Sequence, residues 1–343
     1  MTNPYARKGP ESFWKQAVAT LPFHEVAPIP AKRFHLAPQD AIATAGSCFA
    51  QNVATFLKKR GGVRLLEVEP IGPDQPVFSA LYGNIYTARQ LVQLVLESLG
   101  ERQPADIVWQ RADGMLVDAL RPTIFAAGFA DAAQLLAERR RHLEAVRSLL
   151  SICTVFVFTL GLTETWCSIR DGTVYPLAPG VAADPERAQD FEFRNFTYEE
   201  VRDDIRRFVG IIKEANASAR VLLTVSPVPL TATYTHEHVL VATTHSKSIL
   251  RAVASAAEAE HDNVYYFPAY EIVTGNFSRG RYFEDNLRSI TAEGVAHVMR
   301  VFEETYGLGP GEREGAAAPA ALFSGADETA ICDEEEIVKT LGF

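Results

Sequence analysis

The stretch DAIATAGSCFAQNVATFLKKRG, residues Asp40 to Gly61, decides the fold. AIATAG (41–46) is a short apolar run that reads as a buried strand. FAQNVATFLKKRG reads as a helix whose last turn carries Lys58, Lys59 and Arg60 and whose stop is Gly61, the basic residues and glycine that helix C-termini favour. Between the two stands only Gly46-Ser47-Cys48, so the chain turns directly from strand to helix and sets a hydroxyl and a thiol at that turn.

The same unit recurs outward from it. TVFVFTLG (154–161), RVLLTVSP (220–227) and VYYFPAY (264–270) read as further buried strands. Their nearly uniform apolar character, rather than strict alternation, is what a parallel sheet covered on both faces requires. Helical patterns lie between them: TARQLVQLVLESLG, with Thr87 as N-cap and Gly100 as stop; DAAQLLAERRRHLEAVRSLL; TYEEVRDDIRRFVGIIKEANA; ATTHSKSILRAVASAAEAE; and TAEGVAHVMRVFEETYG. PVFSALYGNIY reads as a loop, and DIVWQRADGMLVDAL as two short strands around the Asp113-Gly114 turn. The expected architecture is a three-layer α/β/α sandwich with a mainly parallel sheet and a small β-hairpin insertion. Residues 1–39 read as an irregular, proline-containing lead-in, 40–307 as the α/β domain, and 308–343 as a flexible acidic tail whose EEEIVKTL forms a last helical turn.

The 343 residues suffice for a sizeable core. A net charge of −10, from 33 basic and 43 acidic residues, argues against a nucleic-acid partner, because phosphate affinity is built from basic surface. The N-terminus lacks a signal-like apolar core, and no run of about 18 apolar residues offers a membrane span. A cytoplasmic location is therefore expected. Cys48, Cys153, Cys167 and Cys332 are scattered without a C-x-x-C pair, which suits reduced thiols. GLGPGEREG has the glycines of a nucleotide loop but no preceding strand, and no Walker sequence occurs, so no cofactor is expected.

In such sheets ligands bind beyond the carboxyl ends of the strands. Past the first strand lies Ser47-Cys48, and past the second Leu162-Thr163-Glu164. The third leads into a polar loop with His236 and His238, and the fourth into Glu271 and RYFEDNLRS. Thiol, hydroxyl, carboxylate and imidazole groups thus collect on one rim. His236-x-His238 has a metal-like spacing but no third ligand, so no metal is expected.

GSCFA at 46–50 resembles the signature of the GSCFA family, and FTLGLTETW (158–166), LLTVSPVP (222–229), SKSILRA (246–252) and YYFPAYEI (265–272) resemble its further blocks, over about residues 40–305. The family looks like a branch of the SGNH, or GDSL, hydrolases. That resemblance implies a flavodoxin-like sandwich and esterase or acyl-transfer chemistry. It sets Cys48, rather than Ser47, in the nucleophile position. It sets Gly83, with Asn84 beside it, in the place of the oxyanion-binding glycine, and Gly161-Leu162-Thr163-Glu164 in the place of Gly-x-Asn-Asp. Thr163 then offers a hydroxyl donor of shorter reach than the usual amide, and Glu164 an acid to orient an imidazole. Asp-x-x-His of the superfamily falls on Asn286 and Ser289, neither a base near neutral pH. His238 becomes the expected base, ahead of His236, His245 and His142, with Glu164 or Asp285 as its orienter.

The expectation is an esterase or O-acyltransferase acting on a small molecule or saccharide. Cys48, His238 and Glu164 would be catalytic, and Ser47, Gly83, Asn84, Thr163, Asp285 and Ser289 would line the oxyanion and substrate space. The alternative is a catalytically inactive protein of the same fold that binds a ligand or partner in a polysaccharide-related pathway. A redox thiol protein, with Cys167 approaching Cys48, is a third reading. The oligomeric state is open.

Overall fold

A computed structural model describes residues 3–70, 72, 75, 77–307 and 333–342. In chain order its elements begin with β1 (Ala41–Gly46), α1 (Phe49–Arg60), β2 (Arg64–Leu65) and α2 (Ala88–Ser98). A hairpin of β3 (Val108–Gln110) and β4 (Leu116–Asp118) precedes α3 (Ala132–Ile152) and β5 (Val155–Leu160). Next come β6 (Glu164–Ser168), β7 (Val174–Tyr175), β8 (Phe191–Asn195) and α4 (Tyr198–Ala215). The remainder is β9 (Arg220–Val225), α5 (Val239–Glu260), β10 (Val264–Phe267), α6 (Ala269–Thr274), α7 (Ala292–Tyr306) and α8 (Glu335–Leu341).

The central sheet is wholly parallel, in the order β10-β9-β5-β1-β2. Numbered by sequence within the sheet, that is 2-1-3-4-5, the flavodoxin-like order, and the direction of winding reverses between β1 and β5. Side chains alternate across the pleat, and both sets are apolar. Ala43, Ala45, Phe158 and Leu223 face α2, α3, α4 and α5, whereas Ile42, Val157, Leu222 and Phe267 face α1, α6 and α7. This is the three-layer sandwich expected from the sequence.

The caps obey local chemistry. The Thr87 hydroxyl accepts from the Gln90 N–H, Asp131 caps α3, and Thr197 with Glu200 forms a reciprocal capping box. In the hairpin turn Gly114 has φ +84° and the Asp113 carboxylate accepts from the Met115 N–H.

Three features depart from the sequence reading. Residues 164–168, read as rim loop, form β6 at the centre of a separate antiparallel sheet in the order β7-β6-β8. The five-residue β6–β7 turn does carry a local signal, Asp171-Gly172, with Gly172 at φ +69°, which the sequence reading passed over, whereas the long β7–β8 connection carries none. The last parallel strand ends at Phe267 because Pro268, which lacks an N–H for the ladder, stands instead at the N-cap of α6. The two-residue β2 is too short for periodicity to show.

The lead-in forms short helical turns strapped to the domain: the Lys32 ammonium donates to the Glu258 and His261 carbonyls, and the Leu36 N–H to the Tyr306 carbonyl. Of the tail, 308–332, which includes Cys332, and Phe343 lie outside the described residues.

Candidate functional site

The site begins at Gly46. Its φ is +143°, and a Cβ there would meet the Thr159 carbonyl oxygen at 2.4 Å. Only glycine lets the end of β1 press this closely on β5 while turning. The Ser47 N–H donates to the Thr159 carbonyl at 3.2 Å, and the Gly46 carbonyl accepts from the Ile85 N–H at 2.8 Å. The turn is thus clamped between β5 and the 83–86 loop, at the point where the sheet's winding reverses.

Cys48 stands at the head of α1 in helical geometry, and its side chain makes no capping bond. The first N–H groups of a helix are the positive end of its dipole. Cys48 and Ser47 are both buried, and the Ser47 hydroxyl has no partner among the described residues. Burial pushes the two other described thiols, Cys153 and Cys167, up to about 11. They lie in the core layer that packs α2, α3, α4 and α5 on the sheet.

Gly83 has φ +69° and so turns the chain into Asn84. Asn84 is fully buried; its Oδ1 accepts from Gln51 on α1 at 3.2 Å, and its carbonyl accepts from Gln90 on α2 at 3.0 Å. With Oδ1 so used, the amide nitrogen and the backbone N–H of Asn84 both point at the carboxylate of Asp333.

The loop after β5 is tied to neighbouring segments. The Gly161 and Leu162 N–H groups donate to the Tyr86 carbonyl. The Thr163 N–H donates to the Ser246 hydroxyl at 3.0 Å, and its own hydroxyl donates to Asn195 at 2.7 Å. Glu164 accepts from the Thr233 hydroxyl at 2.7 Å and from the Tyr234 N–H at 3.2 Å, which pins the loop after β9.

A model of the GSCFA family matches residues 41–302. The chain belongs to the GSCFA family. No curated protein matches it in sequence.

The GSCFA protein brings Ser47, Gly83 and Asn84 to one end of the parallel sheet with Cys48, while Thr163 spends its hydrogen bonds on α5 and β8 and Glu164 on the loop after β9. His238 is exposed and caps α5, its Nδ1 accepting from the Leu240 N–H at 3.2 Å. His236 is exposed in the same loop, His245 is exposed on α5, and His142 is buried against Glu69. Asp285 is exposed. Asn286 donates to the Ser289 hydroxyl and accepts from the Arg288 and Ser289 N–H groups, so the 284–289 loop is held by its own bonds.

Four groups on this rim escaped the sequence reading. The Lys247 ammonium is fully buried and donates to the Gly161 carbonyl at 2.7 Å. Arg288 donates to the Pro229 carbonyl at 3.2 Å and to the Glu334 carboxylate at 3.1 Å. Asp333 and Glu334, from the acidic tail, are only 4% and 6% exposed. The Asp333 carboxylate accepts from the Thr123 hydroxyl at 2.8 Å as well as from Asn84. Burial raises both carboxyls above the ordinary range, against the pull of Thr123 and Asn84 on Asp333 and of the Arg288 and Lys247 charges on Glu334. A signal for Lys247 was present: it falls on the apolar stripe of α5 with Ser246, Leu250, Val253, Ala254 and Ala257. A lysine on such a stripe needs a buried partner. Asp333 and Glu334 carried no local signal.

Proposed function

We propose that this GSCFA protein is a cysteine-dependent acyl-transfer enzyme, an esterase or O-acyltransferase, with Cys48 as nucleophile. The observation that carries the reading is the Gly46-Ser47-Cys48 turn: a thiol at the head of a helix, at the winding reversal of a parallel sheet. The helix dipole favours thiolate there. The same geometry supports the kinship with the SGNH hydrolases that the sequence blocks imply.

The thiolate attacks the acyl carbonyl, and the carbonyl's electron pair moves onto its oxygen. The Asn84 N–H and side-chain amide, which both donate to the Asp333 carboxylate, are the donors suited to that oxyanion. Collapse of the intermediate leaves a thioester on Cys48 and expels an alkoxide. A water or acceptor hydroxyl then takes the acyl group and restores the thiol. His238 is the proposed proton carrier. Its Nδ1 must release the Leu240 N–H to take the Cys48 proton, and the imidazolium then returns that proton to the departing alkoxide. Glu164 acts by fixing the loop that leads to His238. Tyr234, exposed, in edge contact with Trp166 and tilted against Phe193, offers an aromatic face suited to a saccharide acceptor.

The same loop supports a second reading, a binding protein of unchanged fold. His238 serves as a helix cap, and Asn286 and Ser289 bond each other where the superfamily has its acid and base.

The deciding experiment is the pH dependence of Cys48 alkylation by iodoacetamide, read by mass spectrometry with Cys153 and Cys167 as internal references, together with a screen of activated acyl esters. The enzyme reading expects Cys48 to titrate well below a free thiol's ~8.5 and to trap an acyl group. A Cys48 that alkylates no sooner than Cys153 and traps nothing sinks it and leaves the binding reading. His238→Asn separates the roles of the ring, because asparagine caps a helix as well as any residue but carries no imidazole. Full turnover in that variant removes His238 from the chemistry.

A further inference from the structure

The donors at the rim form a set with a definite preference. Lys247 is buried and Arg288 is mostly so, and both carry fixed positive charge into a region that also holds the Asn84 amide and the Thr123 hydroxyl. Two cations out of water are costly unless anions meet them. Here the anions are adjacent residues. Asp333 takes Thr123 and Asn84, while Glu334 takes Arg288 at 3.1 Å, with Glu335 at 3.6 Å from the same guanidinium. The Thr231 N–H adds a further donor to Glu334, and the Thr231 hydroxyl is buried with no partner among the described residues. All of these donors lie on the α/β domain, whereas both carboxylates come from beyond its last helix.

We propose that Thr123, Lys247 and Arg288, beside the Asn84 donors, form a subsite for the anionic part of a ligand, and that Asp333–Glu334 is its displaceable intramolecular occupant. The ligand class is a small molecule with two anionic groups, carboxylate or phosphate, spaced like neighbouring acidic side chains. The subsite adjoins the Gly46-Ser47-Cys48 turn, because Asn84 bonds Gln51 on α1 and Lys247 bonds Gly161, where an added Cβ would meet the Ser47 side chain at 3.0 Å. The occupant therefore sits where substrate would approach Cys48. The anion binding itself does not rest on the acyl-transfer reading; only the statement that the ligand is a substrate does.

The test uses the full chain with Asp333→Asn and Glu334→Gln, which keep side-chain size and remove both charges. The probe is a fluorescein-labelled peptide of sequence DEEEIVKTLG, residues 333–342, monitored by fluorescence anisotropy. The charge-neutralised variant should bind it at least about ten-fold more tightly than the unaltered chain, where self-occupancy taxes the apparent affinity. Adding Lys247→Met or Arg288→Ala to that variant should cost at least about ten-fold in turn. Citrate and inorganic phosphate as competitors distinguish a dicarboxylate from a phosphate preference. Equal peptide binding by the neutralised variant and the unaltered chain, or none by a variant whose thermal unfolding is native-like, overturns the proposal. Binding that survives loss of both Lys247 and Arg288 overturns the assignment of the subsite. Cys48 alkylation in the same variants separates the two ideas. Faster alkylation on neutralisation joins the occupant to the nucleophile. Tight peptide binding with an inert Cys48 leaves the subsite standing and removes the enzyme reading.

Discussion

Two buried polar clusters lie close together in this molecule and balance their charges in different ways. In the first, Arg139 on α3 donates to Asp118 on β4 at 2.8 Å and to Glu97 on α2, while Arg121 donates to Asp118 at 2.8 Å. Beside them the His142 ring bonds Glu69 at 2.7 Å, and Glu69 also accepts from the Leu81 N–H. Burial works to raise Asp118, but the Arg139 and Arg121 charges bring it down to about 2. Burial, with the Arg121 charge, holds His142 down to about 4 despite Glu69, so the ring is neutral at pH 7. Every charge in this cluster is answered from within the α/β domain. In the second, around Asn84, Lys247 and Arg288, the carboxylates arrive from residues 333 and 334. A cluster closed by its own domain is an internal brace. One completed by a separate segment has the form of a binding site.

The contrast breaks most easily at Asp118. Asp118→Asn takes the carboxylate from the buried Arg121 guanidinium and one of two from Arg139, and should cost about 3–5 kcal/mol. Asp333→Asn leaves neutral donors facing a neutral amide and should stay within about 1 kcal/mol. Urea denaturation of both variants measures the difference, and similar losses would mean that the tail segment is as structural as the brace.

The brace also titrates. With its folded pKa near 4, against ~6.5 unfolded, His142 gives its full contribution above about 6.5 and loses it as pH falls toward 4. The unfolded chain binds the extra proton in that window, so stability falls with falling pH, by up to roughly 3 kcal/mol from this ring. Burial depresses His297 to about 4 as well, and its slope has the same sign. Denaturation across pH 4–7 should show both, and His142→Gln should remove one proton's worth of slope. An unchanged slope would place the titration elsewhere.

At the rim, Gly46→Ala places a Cβ at 2.4 Å from the Thr159 carbonyl and should cost about 2–3 kcal/mol. It should also change the rate of Cys48 alkylation, because the turn must shift. His238→Asn is the smallest effect, within about 0.5 kcal/mol, since the cap of α5 is kept.

Much of the scaffold was legible because its signals are local. Both faces of β1, β5 and β9 are apolar in sequence as in space, and Thr87, Thr197 and Gly61 mark helix ends by hydrogen bonds made within a few residues. The Ser47-Cys48 turn was visible for the same reason. Thr163 and Glu164 could be placed on the rim, but not aimed. Their partners, Asn195, Ser246 and the 233–234 loop, are distant in sequence.

By itself, then, the sequence determined the alternation of strand and helix, the covered parallel sheet, and the strand-to-helix turn that carries Cys48. Each depends on side-chain periodicity or on contacts within one turn of the chain. Only the tertiary structure decided which polar groups face one another: that Asn84 and Thr123 meet Asp333, and that Lys247 and Arg288 stand with Glu334. Hydrogen bonds and ion pairs act over a few ångströms of space whatever the distance along the chain. A carboxylate more than two hundred residues from its donor leaves no periodic trace of the meeting.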